Sequence, residues 1–234
     1  MALFLILAVP GAYLLFLSFE GVELEDNVRS ILLSLRMVVL SLPIYVAFFF
    51  IRRALPVEYD TGSLYLRHLL FDVLLFLIPS ITTLFFLRMF PQYKNELVQF
   101  IGRYSVITGI WFIPGILDAV LLFGDYDGYV LFLRPILRIA VSVILAVGLD
   151  SSPSADTAVR WSRYGVTFAL PLLVPLIPMF YYLHQPLAAY SGCGIIVLST
   201  VSFYIFCRQT YRRRGAPPQS SSLEETIHDG CLDE

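Results

Sequence analysis

Seven apolar runs, each of roughly 18–22 residues, fill almost the whole of this 234-residue chain. They are Ala2–Phe19, Ser30–Ile51, Leu69–Phe90, Tyr104–Phe123, Tyr129–Leu149, Val166–Leu183 and Leu187–Cys207. A helix needs about 20 residues to cross the hydrocarbon of a bilayer. The runs are about twice as long as a barrel strand and lack period-2 alternation, so strands are excluded. Backbone polar groups in lipid must be satisfied within each segment, which leaves the α-helix. Composition agrees: 58% of residues are hydrophobic and 15% charged, the balance of a chain solvated by lipid. The predicted fold is an all-α polytopic membrane bundle of about seven transmembrane helices, residues 1–207. A disordered cytoplasmic tail, 208–234, is basic first and then acidic, with a Pro/Ser-rich stretch at Gly215–Ser222.

The first run has no basic flank before it, carries Pro10 and Gly11 at its middle, and is followed by the acidic stretch Glu20–Asp26 rather than a small-x-small cleavage site. It reads as a retained helix and not as a signal peptide. Orientation follows from Lys and Arg. Placing the C-terminal cluster Arg208, Arg212, Arg213 and Arg214 in the cytoplasm also puts Arg29, Arg88, Lys94, Arg103, Arg160 and Arg163 there, and leaves only Arg52, Arg53 and Arg67 outside. The predicted topology is N-out, C-in, in a cell membrane. Tyr65, Tyr126, Tyr129, Trp161, Tyr164, Tyr181 and Tyr182 fall near run ends, where aromatic belts sit. In the loop Gln92–Arg103, Tyr93, Leu97, Phe100 and Ile101 have helical spacing, which suits either an interfacial amphipathic helix or a solvated loop.

The charges inside the runs point most directly to function. Arg134 and Arg138 lie four residues apart in the fifth run and so share a helix face. Asp118 lies five residues before the outer end of the fourth run, and Arg134 five residues after the start of the fifth. The tight connection Gly124–Gly128 makes these helices antiparallel neighbours, which places Asp118 and Arg134 at one depth. Asp72, early in the third run, occupies the same outer half. A charge at mid-bilayer costs at least about 2.5–3.5 kcal/mol and needs a partner or water. Two readings follow. Asp72, Asp118, Arg134 and Arg138 line a polar pocket for an anionic small ligand, or they form a structural ion-pair cluster between three helices.

Each of the first six runs contains proline, and the sixth has three: Pro171, Pro175 and Pro178. Proline removes a backbone donor and kinks a helix. Static kinks explain the single prolines, whereas in the sixth run a freed carbonyl for a ligand or ion is an equal reading. In the seventh run, Ala188 and Gly192 have the small-xxx-small spacing that permits close helix approach. That spacing suits internal packing on the sixth helix or pairing with a second copy.

Catalytic signatures are missing. There is no phosphate loop, GxGxxG or HExxH, and His68, His184 and His228 are scattered. Cys193, Cys207 and Cys231 have neither metal spacing nor an even disulfide count. Asp125-Tyr126-Asp127-Gly128 lacks the spacing of head-group transferases, and no run carries the lysine of a retinal Schiff base. No enzyme activity, cofactor, metal or nucleic-acid partner is expected.

The segment Tyr65 to Ile116 carries a more specific pattern. Its first helix closes Leu84-Phe85-Phe86-Leu87-Arg88-Met89-Phe90-Pro91, an arginine and then Phe-Pro; a polar-amphipathic loop follows, then a helix with Pro114 past its middle. This resembles the third and fourth helices of the bacterial seven-transmembrane receptors with diverse intracellular signalling modules, over about 50 residues. The resemblance implies a seven-helix, N-out module. Neither a sensor domain before the first helix nor a kinase, cyclase or phosphatase after the seventh is evident, so no catalytic residue is carried over. Such a module signals through a protein partner or a second copy of itself. The expected function is receptor-like sensing in the membrane. The alternatives are a transporter or transport-complex subunit, and an intramembrane lipid-modifying enzyme.

Overall fold

A computed structural model describes residues 2–20, 24–54, 61–74, 77–78, 80–81, 96–121, 127–149 and 157–215. Every element among them is a helix: α1 (Ala2–Glu20), α2 (Leu24–Ala54), α3 (Thr61–His68), α4 (Glu96–Leu121), α5 (Arg134–Gly148), α6 (Thr157–Leu173), α7 (Leu176–Tyr182) and α8 (Pro186–Gly215). Wider π-helical segments, Leu69–Leu74 and Tyr129–Leu133, continue α3 and lead into α5.

Five spans among the described residues are long and apolar enough to cross a membrane: Ser30–Ala47, Phe100–Leu117, Tyr129–Gly148, Trp161–Tyr182 and Pro186–Gln209. They match the second, fourth, fifth, sixth and seventh runs. In α1 the apolar stretch is the shorter Ile6–Phe16. Much of the third run lies outside the described residues, including the Arg88–Pro91 closing motif. The second half of the expected Gln92–Arg103 loop is helix: α4 begins at Glu96 and buries Phe100 and Ile101. These two share a face with Tyr104, so the amphipathic spacing read there is the first turns of a spanning helix. The last helix also outruns its apolar stretch, carrying Arg208 to Arg214 as helix to Gly215.

Burial decides the arrangement. About three-quarters of the α4 and α5 spans is enclosed, 72% and 78%, against 24% for the α2 span and 28% for that of α8. α4 and α5 are therefore the centre. α1 and α2 pack on α4, and α1, α6 and α8 pack on α5. The outer helices turn large apolar residues such as Leu3, Val39, Leu187 and Leu198 outward, the face that hydrocarbon covers in a membrane protein. Four buried hydroxyls are satisfied within their own helix. Ser105 donates to the Gly102 carbonyl, Thr108 to Tyr104, Ser142 to Arg138 and Thr167 to Arg163, all at 2.7–2.8 Å.

Two glycines set the closest helix approaches. Gly109 of α4 lies against the Ser34 backbone of α2, and Gly148 of α5 against the Thr167 side chain of α6. Gly192 of α8 faces Ile177 of α7, which agrees with internal packing of the seventh run's small residues.

The prolines act in different ways. Pro10, Pro43 and Pro114 sit inside continuous helices. Pro135 occupies the first turn of α5, where its missing donor costs little. Just before it, the Arg134 N–H reaches back five residues to the Tyr129 carbonyl, the π-helical bond. In the sixth run the three prolines break the helix between α6 and α7, where Val174 N–H bonds the Pro171 carbonyl at 3.2 Å and Ile177 N–H that of Val174 at 3.1 Å. These three-residue bonds tighten the chain into a turn. Tyr65 of α3 donates to the Leu172 carbonyl beside that break at 3.0 Å, so a residue expected in the aromatic belt holds the kink instead. His184 stops α7 with φ 58°. Its N–H bonds the Tyr181 carbonyl, and the next N–H, of Gln185, bonds that of Phe180, a Schellman cap with Pro186 just beyond it.

Candidate functional site

Arg134 and Arg138 stand one turn apart on α5, the most enclosed helix, and each is only 6% exposed. The Arg138 guanidinium carbon lies 5.4 Å from the ring centroid of Trp111 on α4. That is a cation–π contact, worth about 2 kcal/mol where water is excluded. Trp111 is itself 3% exposed. The contact fits the antiparallel pairing of α4 and α5 expected from their short connection. The Arg138 charge also acts on the Tyr45 hydroxyl of α2. The site is thus a buried cation over the Trp111 ring, with the Tyr45 hydroxyl within reach of its charge.

Of the four residues singled out by sequence, Arg134 and Arg138 come together inside the bundle as expected. Asp118 lies on α4 and Asp72 in the π-helical segment, but their side chains fall outside the described residues, and with them the expected Asp118–Arg134 pair. Trp111 and Tyr45 were not singled out. The available signal was Trp111 itself: tryptophan is the best cation–π ring, and it lies on the helix already paired with the arginines. Tyr45 could not have been found without the packing of α2 on α4.

A second cluster sits at the starts of the two π-helical segments. His68, at the end of α3, stacks on Tyr182 with ring centroids 5.9 Å apart and meets Tyr129 edge-on, also at 5.9 Å. Tyr181 joins Tyr129 and Tyr182 at 6.0 and 5.5 Å. Three segments, remote in sequence, thus converge on one aromatic group beside the start of the arginine-bearing helix. π-Helical turns of this kind are frequent at functional sites. The acidic sequence before Tyr129 has a local structural role: Asp127 Oδ1 accepts from the Val130 N–H at 2.7 Å and caps the segment. Among the described residues no group of His, Cys, Asp and Glu could hold a metal ion, and Cys193 and Cys207 are buried and in no disulfide.

No protein-family model matches the chain, and no curated protein or solved structure matches it.

Proposed function

We propose that this chain is a receptor-like membrane module that binds an anionic ligand group at Arg134 and Arg138 and transmits a helix shift to a protein partner or second copy. One observation carries the reading: two guanidinium groups, one turn apart, lie inside the most enclosed helix, with Arg138 held over Trp111. Ionisable residues at membrane depth are costly and mark functional paths. The irregular backbone of Tyr129–Leu133 leads directly into the site. It gives α5 a segment whose geometry can change between liganded and free states, as a two-state sensor requires. Asp72 and Asp118 complete the pocket on the sequence reading. The seven apolar runs of the sequence and the resemblance of Tyr65–Ile116 to bacterial seven-transmembrane receptors favour the same class.

A second reading is a transporter or transport-complex subunit. It is favoured by the break between α6 and α7, since discontinuous helices build transport sites.

Thermal unfolding of the purified chain with phosphate, sulfate, acetate and phosphoglycerol tests the pocket. A ligand present at 100 times its Kd stabilises the folded protein by about 2.7 kcal/mol. Stabilisation of the wild type that is lost in Arg138→Leu and kept in part in Arg138→Lys establishes the site. If no anion moves the wild type, the arginines are structural. Flux of the bound anion into proteoliposomes selects the transporter. Ligand-dependent retention of a partner in a mild-detergent pull-down selects the receptor.

A further inference from the structure

On the side of α5 facing away from Arg138, a cavity of about 230 Å³ opens between α1, α5 and α8. Ile136, Ala140 and Val143 form one wall, and Val197, Val201 and Tyr204 the other. Small and branched side chains leave the space between the two helices unfilled. Its polar atoms are turned away. Thr200, also in the wall, donates its hydroxyl to the Ile196 carbonyl at 2.8 Å and so offers its methyl group. The Tyr204 hydroxyl accepts a hydrogen bond from Arg208 Nη1 at 3.1 Å. The groove therefore suits a hydrocarbon chain, and an anion would lose its water there with nothing in return.

The position of Arg208 identifies the rest of the occupant. On α8 the groove runs from Val197 to Tyr204, roughly 10 Å at the helical rise. The apolar span of this helix ends at Gln209, so the groove occupies the leaflet at the C-terminal end of the bundle. Arg208 comes one turn beyond Tyr204, its guanidinium carbon 6.0 Å from the Tyr204 ring centroid. It stands where hydrocarbon gives way to head groups, at the mouth of the groove. The same helix then continues through Arg212, Arg213 and Arg214. A guanidinium carries five donors in a fork suited to phosphate oxygens.

We infer that this groove binds one anionic phospholipid, an acyl chain between α5 and α8 and the phosphate at Arg208. The argument rests on charge complementarity along one helix: an apolar slot of leaflet depth that ends at a positively charged head-group position.

The test titrates phosphatidylglycerol and phosphatidylcholine, matched in chain length, onto the delipidated full chain, and reads bound lipid by native mass spectrometry. The expected preference for phosphatidylglycerol is roughly fivefold, the value for one basic residue near the surface. Arg208→Gln should reduce it to parity, and Arg208→Lys should keep part of it. Val201→Phe, at an exposed position of the wall, should lower retention of both lipids. Ala140→Phe is a second filler from the opposite wall, and far-ultraviolet circular dichroism confirms that each variant is folded. Equal retention of the two lipids by the wild type overturns the inference, as does an unchanged preference in Arg208→Gln. A dimer that Val201→Phe converts to monomer without lowering lipid retention assigns the groove to a second copy and likewise overturns it.

Discussion

Gly109 offers the sharpest test of the packing. An ordinary glycine inside an exposed helix is a weakness, and changing it to alanine adds about 1 kcal/mol of helix propensity. At Gly109 the added methyl would lie 2.7 Å from Met37 Cβ and closer still to the Ser34 carbonyl oxygen. Carbon atoms rest at about 3.5–4.0 Å, so α2 and α4 must part by about 1 Å. The obstructing atoms belong to backbone and to a Cβ, and no rotamer change removes them. Overpacking costs about 1–3 kcal/mol, and a backbone neighbour puts Gly109→Ala near the upper figure. Subtracting the propensity gain leaves a net loss of about 2 kcal/mol. For a chain of this size that lowers Tm by about 4–8 °C. Gly165 of α6 provides the internal control, because a Cβ there meets nothing within 4 Å. Gly165→Ala should gain up to about 1 kcal/mol. Thermal unfolding in one detergent, followed by circular dichroism at 222 nm, compares the pair. Equal shifts, or a Gly109→Ala protein as stable as the wild type, would refute the close approach of α2 and α4.

Four further outcomes are expected. Arg138→Leu and Trp111→Leu should couple in a double-mutant cycle by about 1–2 kcal/mol; zero coupling would sink the cation–π contact. Asp127→Ala should lower stability by about 1 kcal/mol through loss of the cap, whereas Asp127→Ser keeps most of it; equal losses in a denaturant titration would disprove the cap. His184→Gly relieves a left-handed backbone that costs about 1–2 kcal/mol with a side chain and adds about 0.5–1 kcal/mol of chain entropy to be lost, so Tm should rise slightly; a fall would contradict the Schellman stop of α7. With Cys193 and Cys207 buried, a membrane-impermeant maleimide applied to sealed right-side-out vesicles should label Cys231 only after the membrane is opened. Labelling of intact vesicles would reverse the proposed C-in orientation.

Much of the candidate site was legible in the chain. A guanidinium in the middle of an apolar run is conspicuous because lipid tolerates so few, and the spacing of Arg134 and Arg138 placed both on one helical face. The partners were not legible in the same way. Trp111 and Tyr45 are ordinary members of apolar runs; the packing of α4 on α5 brings Trp111 to Arg138, and that of α2 on α4 puts Tyr45 within reach of its charge. Tyr129, Tyr181 and Tyr182 read as separate belt residues because belts form at every run end, and His68 as a scattered histidine; their convergence depends on which helix ends meet. The start of α4 at Glu96 was legible only as one of two readings, because the spacing of Tyr93, Leu97, Phe100 and Ile101 also suits a solvated loop.

By itself the sequence determined the class: run length, hydropathy and the requirement to satisfy every backbone group in lipid allow only helices at those positions. It also marked the sixth run as the most irregular, since three prolines in eight residues remove three backbone donors. Tertiary structure decided which helices are central. All the runs are similarly apolar, and in lipid the hydrophobic effect does not distinguish a buried face from an exposed one. That choice is made by close packing, through glycines such as Gly109 and Gly148 that let backbones touch, and by the need to surround two arginines. Which helices meet these two demands is not visible until the helices are assembled.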